Sequence, residues 1–281
     1  MNQFELRRTP QTIDWICDTL NQTKMSFTLK HGTYTTTIEH ALGKTKLFTN
    51  NFKTKVFCAA QMIKKEAKES DIGKEIMATV HQKKNFDSAQ NLKNLYYPTC
   101  FNIDLKSAYA NCLLNSGLIS KKTYSYIMQL AKMDRLAAVG MLATSHIKYH
   151  FKDGKCVGFD PYREPTSEIF FYLIDEINYI MQDLKFILGS DFLFYWVDGV
   201  FFKPTTSVRK IQSVENLLTT LNYPYRYEKV ENFSVEVETD KVIIKMIKNE
   251  EQKRYEFSTG ETGKEIAKNV YKKYKNQYEQ Q

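Results

Sequence analysis

The stretch FLFYWVDGVFF, residues Phe192–Phe202, is the clearest structural signal of the chain, because ten of its eleven residues are apolar, aromatic or glycine. Turn-forming residues flank it, Gly-Ser at 189–190 and Lys-Pro at 203–204, so the pattern predicts a buried strand or a tight hairpin. The exception is Asp198, whose ionised carboxylate is costly to bury unless it is paired, hydrogen-bonded or bound to metal. Asp-Gly is also a common hairpin turn, so the stretch alone leaves a turn role and a catalytic role for Asp198 equally open.

A second carboxylate occurs upstream, in the stretch FNIDLKSAYAN at Phe101–Asn111. Strand-like residues lead into Asp104, and a helical pattern begins near Ala108. A carboxylate at such a junction is held rigidly and can face a cleft, although aspartate is also a preferred helix N-cap. Two carboxylates on adjacent strands are what two-metal phosphoryl transfer needs, because they hold divalent ions about 3.5–4 Å apart. Hard oxygen ligands favour Mg²⁺, and a nearby lysine would neutralise a triphosphate.

The rest of the chain is predicted to alternate helices with strands. Apolar spacing predicts helices over 10–23, 51–68, 120–144, 166–188 and 208–221. Alternation predicts strands within 26–39, a hairpin over 146–159 that turns at Asp153-Gly154, and further strands between 223 and 257. The polar segment 83–93 is predicted to be a loop.

Composition limits the class of protein. A chain of 281 residues has room for one large domain or two small ones, and 40 Lys and Arg against 32 Asp and Glu favour a polyanionic partner without identifying it. Five cysteines without metal-ligand spacing predict reduced thiols and a cytoplasmic location, and neither a disulfide framework nor a zinc site. The start of the chain lacks an apolar signal core and no run reaches eighteen apolar residues, so no membrane partner is expected.

Four short motifs resemble, in order, those of the palm of family B DNA polymerases, most closely the protein-primed phage type. They are DLKSAY at Asp104–Tyr109, KMDRLAAVGMLATS at Lys132–Ser145, YWVDGV at Tyr195–Val200 and QKRY at Gln252–Tyr255. The resemblance implies an α/β (α+β) fold, a polymerase palm whose antiparallel sheet is backed by helices, with short fingers and a vestigial thumb. In this organisation 1–95 is an N-terminal region with candidate template-binding lysines, 96–118 and 146–257 form the palm, 119–145 is a reduced fingers helix and 258–281 is a basic helical tail.

The resemblance also implies residue roles. Asp104 and Asp198 would be catalytic and bind two Mg²⁺ ions, with Mn²⁺ as a substitute. The nucleotide would be bound by six residues: Lys132 at the triphosphate, Tyr109 under the sugar, Gly140 beside the nascent base pair, and Leu105, Ser107 and Arg135. The primer end would be held by Lys253, Arg254 and Tyr255, although an ordinary charged edge strand is the favoured interpretation of these three. A core aromatic also accounts for Tyr109, a surface lysine for Lys132, and a solvated helix face for the N-terminal lysines.

The implied function is template-directed DNA polymerisation from dNTPs on a primer–template, without a proofreading exonuclease. A priming protein or accessory replication proteins are further candidate partners, and the location would be the host cytoplasm if a phage encodes the chain. Trp196 replaces the first aspartate of the third motif, and LAAV at 136–139 replaces the polar residues of the second. A primase-like polymerase and a degenerate palm that only binds nucleic acid therefore remain open. Reverse transcriptases fit less well, because Gly199 replaces the second aspartate of their motif.

Overall fold

The computed structural model describes residues 10–31, 35–48, 53–79, 94–153, 155–238 and 241–258. These residues divide into two compact units, one that contains the described parts of 10–79 and 125–170, and one that contains 94–124 and the described parts of 171–258. Both units combine helices with an antiparallel sheet, so the mixed α+β class is confirmed. The predicted loop over 83–93 and the predicted helical tail after residue 258 lie outside the described residues.

The elements follow in chain order. The strands are β1 (Phe27–His31), β2 (Thr35–His40), β3 (Gly43–Phe48), β4 (Leu95–Leu105), β5 (Ser145–Lys152), β6 (Lys155–Arg163), β7 (Phe192–Trp196), β8 (Gly199–Phe202), β9 (Tyr225–Val237), β10 (Lys241–Lys248) and β11 (Glu251–Ser258). The helices are α1 (Pro10–Gln22), α2 (Thr54–Glu69), α3 (Asp71–Ala78), α4 (Ala108–Asn115), α5 (Lys121–Met128), α6 (Lys132–Gly140), α7 (Thr166–Leu188) and α8 (Val208–Thr220). Among these described helices, none is both long enough and apolar enough to cross a membrane.

The sheet of the first unit has the strand order β3-β2-β1-β5-β6, and every neighbouring pair is antiparallel. The apolar face of α1 packs in one core cluster with side chains of four of these strands, and the rings of Phe27 and Phe151 stack at 4.5 Å. The hairpin β5–β6 turns at the predicted position. The sequence places it with the palm strands, whereas β5 pairs with β1, because a hairpin carries no local signal for the sheet that its outer edge joins.

The single helix predicted over 120–144 is wrong. The structure has two helices, α5 and α6, followed by a short 3₁₀ turn at Met141–Ala143. Ala131 precedes α6 with extended backbone, and the guanidinium of Arg135 donates a 2.6 Å hydrogen bond to the carbonyl of Leu130. Because Leu130 is buried and its carbonyl has this partner, the chain can leave the helix here without a glycine or proline.

The sheet of the second unit has the order β11-β10-β9-β4-β8-β7, again antiparallel throughout. Its aromatic core includes Phe194, Phe201 and Phe233, and the last two rings stack at 4.5 Å. The hydroxyl of Tyr195 donates a 2.6 Å hydrogen bond to Asn178, which ties β7 to α7. The predicted strands and hairpin of this unit are therefore present, with β9 and β4 at the centre of the sheet and β8 beside β4.

Candidate active site

Asp104 and Asp198 lie beside each other on the sheet of the second unit. Asp104 is the penultimate residue of β4 and stands directly opposite Gly199, the first residue of β8. The N–H of Leu105 donates a 2.8 Å hydrogen bond to the carbonyl of Asp198. Both aspartates are partly buried. Two strands that are distant in sequence thus bring two carboxylate residues to neighbouring positions, as the sequence predicts.

The β7–β8 turn carries Asp198 itself. The two turn residues are Val197 and Asp198, because Trp196 already pairs with Gly199. The sequence favours an Asp-Gly turn, one residue later than the observed turn. Val197 has a φ of 50°, a conformation that is rare for a β-branched residue and that typically costs about 1–3 kcal/mol. Asp198 is therefore a turn residue and a neighbour of Asp104 at once, and the two interpretations of it do not exclude each other.

Gly199 leaves space next to the Asp104 carboxylate. A Cβ atom at residue 199 would lie 3.3 Å from Oδ1 of Asp104 and 3.3 Å from Nδ2 of Asn102. Both distances are tighter than ordinary van der Waals contact, so a side chain here would press on the two polar groups. The close approach of these two polar groups thus favours glycine at residue 199, apart from any role in the turn.

The junction between β4 and α4 is held by several hydrogen bonds. The N-cap of α4 is Ser107, which has φ 50° and ψ 45°, so the N-cap alternative for Asp104 is wrong. The N–H of Lys106 donates to the carbonyl of Pro224 at 2.7 Å, and the Asn111 amide donates to the Lys106 carbonyl at 2.6 Å. Because the N–H groups of Leu105 and Lys106 already have protein acceptors, they could bind phosphates only if those bonds broke.

Tyr109, on the first turn of α4, is close enough to Asp198 for their charges to interact. Burial raises the pKa of its phenol to about 12, and the negative charges of Asp198 and of an ionised Cys112 act in the same direction. The phenol is therefore protonated at neutral pH. Tyr109 and Asp198 are thus neighbours within the second unit.

Sequence reasoning missed a polar cluster next to Asp104. Asn102 lies two residues before Asp104 on the same strand and hence on the same face of the sheet. The Lys248 ammonium donates to the Asn102 side-chain oxygen at 2.6 Å and to the Glu228 carboxylate at 3.0 Å. Arg226 stands directly opposite Asp104 on β9, so its side chain starts from the same face. The only sequence signal for this cluster is the alternation of β9 and β10, which does not say that they flank β4.

The predicted nucleotide-binding residues of the second motif belong to the first unit, whereas Asp104 and Asp198 belong to the second. Lys132 is exposed at the start of α6, and Gly140, at its end, is exposed with no atom within 4 Å of where a Cβ would lie. Arg135 is partly buried and binds the Leu130 carbonyl, which gives it a structural task.

The predicted primer-binding residues lie on the edge strand β11, which β10 and β9 separate from β4. Three strand spacings put β11 roughly 14 Å from β4. Lys253 pairs with Glu251 at 2.6 Å and Arg254 pairs with Glu256 at 2.9 Å, while Tyr255 is 46% exposed. Charged residues that pair along an exposed strand are typical of a protected sheet edge, which was the favoured interpretation.

The donor set suits a hard divalent cation. Asp104 and Asp198 offer carboxylate oxygens, and Mg²⁺ commonly takes one or two carboxylates and completes its octahedron with water and substrate phosphates. Among the residues that the structure describes, no group of three or more His, Cys, Asp or Glu side chains is arranged to hold a metal ion. The two aspartates would thus be the protein ligands, and a phosphate-bearing substrate would supply the others.

No protein-family model matches the chain, and no curated protein matches it.

Proposed function

We propose that the chain is a template-directed DNA polymerase that adds dNTPs to a primer 3′ end and has a palm built on the sheet of the second unit. The observation that carries the proposal is that Asp198, in the β7–β8 turn, lies beside the end of β4 that carries Asp104. The agreement in order of the four motifs supports it further. The substrates would be a DNA primer–template and dNTPs, and a priming protein or accessory replication proteins would be candidate partners.

In this proposal Asp104 and Asp198 hold two Mg²⁺ ions, which Mn²⁺ could replace. When bound, the ions would activate the attacking primer hydroxyl and stabilise the departing pyrophosphate. The chain's own residues position the ligands, because the Leu105–Asp198 hydrogen bond fixes the two strands against each other. Tyr109 stays protonated and offers a neutral aromatic surface close to Asp198, which suits the sugar of a nucleotide. Arg226 offers a positive charge on the Asp104 face for phosphate oxygens.

The test is extension of a labelled primer–template with dNTPs and Mg²⁺ by the wild type, Asp104→Asn and Asp198→Asn. Each substitution removes one ligand charge while keeping the shape of the side chain, so we expect the extension rate to fall at least about a hundredfold. Asp183→Asn is the matched control, since Asp183 is exposed on α7. Binding of the primer–template should persist in all variants, because the two carboxylates repel phosphates when no metal is bound.

Extension by the wild type and the control alone would support the proposal. If every protein bound DNA and none extended the primer, the polymerase proposal would fail and a palm that only binds nucleic acid would replace it. Synthesis from rNTPs without a primer would instead indicate a primase-like enzyme with the same two aspartates.

A further inference from the structure

A cavity rich in lysine lies within the first unit. It has a volume of about 480 Å³, and it is lined by residues of β1, β2, β3 and α2 together with Met141, Thr144, Tyr162 and Glu164. Six lysines and one glutamate, Glu164, contribute to the wall, which gives a net charge of +5. We call this site the lysine cavity; its lysines are Lys30, Lys44, Lys46, Lys64, Lys65 and Lys68. The charge is unusual for a cavity, because like charges this close repel one another unless an anion joins them.

Lys44 pairs with Glu39, which is not part of the wall, and two further lysines are held in place inside the unit. Lys64 is buried on α2 and pairs with Glu164 at 2.7 Å, the one acidic residue of the wall. Lys30, on β1, places its ammonium 4.0 Å from the centre of the Tyr162 ring. Burial lowers the pKa of Lys30, and the positive charges of Lys44 and Lys64 act in the same direction, against Glu164 and Glu39. Burial and repulsion between positive charges therefore destabilise this site in the free protein, and a bound anion would relieve that destabilisation.

The other groups of the wall fit a nucleotide better than a simple ion. Thr35, Thr37 and Thr144 offer hydroxyl groups, and Phe57 and Tyr162 offer aromatic rings. Aromatic rings beside a positively charged groove are the usual means of binding a single strand, since bases stack while lysines pair with the backbone. A volume of about 480 Å³ also lies within the range of roughly 300–1,000 Å³ typical of small-ligand pockets.

We propose that the lysine cavity binds the phosphate groups of single-stranded nucleic acid. Phosphate could also come from a free nucleoside triphosphate, which shares the chemistry but would not show the salt dependence of a long strand. The proposal concerns binding by the first unit and does not require that the second unit transfer nucleotides. It replaces the solvated helix face as the interpretation of Lys65 and Lys68 on α2.

The experiment measures binding of a fluorescent single-stranded DNA by anisotropy, over a range of salt concentrations, with the Asp198→Asn chain as the background. This background removes primer extension from the measurement. A result on DNA binding by the cavity is therefore independent of whether the proposed polymerase activity is correct. The test variant is the double change Lys65→Gln and Lys68→Gln, because both side chains are exposed and their loss should not unfold α2. The control is Lys55→Gln with Lys152→Gln, which removes the same charge from exposed positions of the same unit outside the cavity.

We expect the test variant to weaken binding at least about tenfold and to reduce the salt slope by about 1.4, since each phosphate contact on a single strand contributes about 0.7. The control should change both quantities much less. Equal losses in the two variants would overturn the proposal, because general surface charge would then account for the binding. Retained strand binding in the test variant, together with loss of its binding to a fluorescent dATP analogue, would also overturn it, since the cavity would then be a free-nucleotide site.

Discussion

The space that the Asp104 carboxylate occupies depends on the absence of a side chain at Gly199. The glycine stands directly opposite Asp104 across β4 and β8, and a methyl group in its place would lie 3.3 Å from Oδ1 of Asp104. Gly199 lies in a strand and is not one of the glycines with positive φ, so alanine is compatible with its backbone. The steric effect can thus be tested without backbone strain.

We expect Gly199→Ala to lower primer extension at least about tenfold and to raise the Mg²⁺ concentration that half-saturates it, because the carboxylate must turn away from the new methyl group. Steady-state extension at several Mg²⁺ concentrations measures both effects. Gly158→Ala is the control, since no atom lies within 4 Å of its added methyl group and it also lies in a strand. An unchanged Mg²⁺ requirement in Gly199→Ala would show that Asp104 is not a metal ligand.

Among single residues, the sequence identifies those whose chemistry conflicts with the residues around them. Asp198 stands out because it is the one charged residue in an apolar run, and Asp104 because a strand pattern changes to a helical one beside it. Asn102 and Lys248 carry no such conflict, since a polar residue in an alternating strand is ordinary. Their contact joins positions 146 apart in the sequence, and only the strand order makes it visible.

At the scale of elements, the strands β4, β9 and β10 are joined near the site by one lysine. The Lys248 ammonium binds Asn102 on β4 and Glu228 on β9, and its side chain is only 17% exposed. Removing a partner from such a pair leaves a partly buried charge without compensation. Lys248 thus acts as a positioning residue that links three strands on the face of Asp104.

We expect Lys248→Met to lower the free energy of unfolding by about 1–3 kcal/mol, because Glu228 and Asn102 lose their shared donor. The additional change Glu228→Gln should recover part of this loss, since it removes the uncompensated charge. Urea unfolding measures the stability, and kcat and KM for dNTPs, determined separately, distinguish a positioning role from a role in folding: Lys248→Met should lower kcat. If Lys245→Met, which breaks a shorter but more exposed pair with Glu236, had the same effects, a special role for Lys248 would be excluded.

Local patterns predict most of the individual elements and few of their partners. The helix α7 follows from apolar spacing alone, and the hairpin at residues 192–202 is one of the two structures that its apolar pattern allows. The break between α5 and α6 does not, because a side-chain hydrogen bond from Arg135 replaces the usual glycine or proline signal. The pairing of β5 with β1 likewise depends on contacts between segments more than a hundred residues apart.

In the molecule as a whole, buried thiols make the stability of each unit decrease as the pH rises. Burial raises the pKa of Cys17 in the first unit to about 12, and that of Cys100 in the second unit to about 12 and of Cys112 to about 11. A raised pKa means that the folded state keeps a proton that the unfolded state has lost. The stabilisation is therefore complete below the unfolded pKa of about 9 and decreases as pH rises towards the folded pKa.

Cys100→Ala separates this effect from the titration of other groups. At pH 10.5 the folded thiol of Cys100 stays protonated and the unfolded one does not, so this residue alone should cost the wild type on the order of 2 kcal/mol relative to pH 8. The variant loses some packing at every pH, but its melting temperature should fall less between pH 8 and pH 10.5 than that of the wild type. Cys58→Ala, at an exposed position, is the control for the loss of a thiol. If Cys100→Ala and the wild type lost the same number of degrees, the thiol would have to be accessible to hydroxide in the folded protein, and the packing of Cys100 against Phe201 and Val230 in the core of the sheet would be wrong.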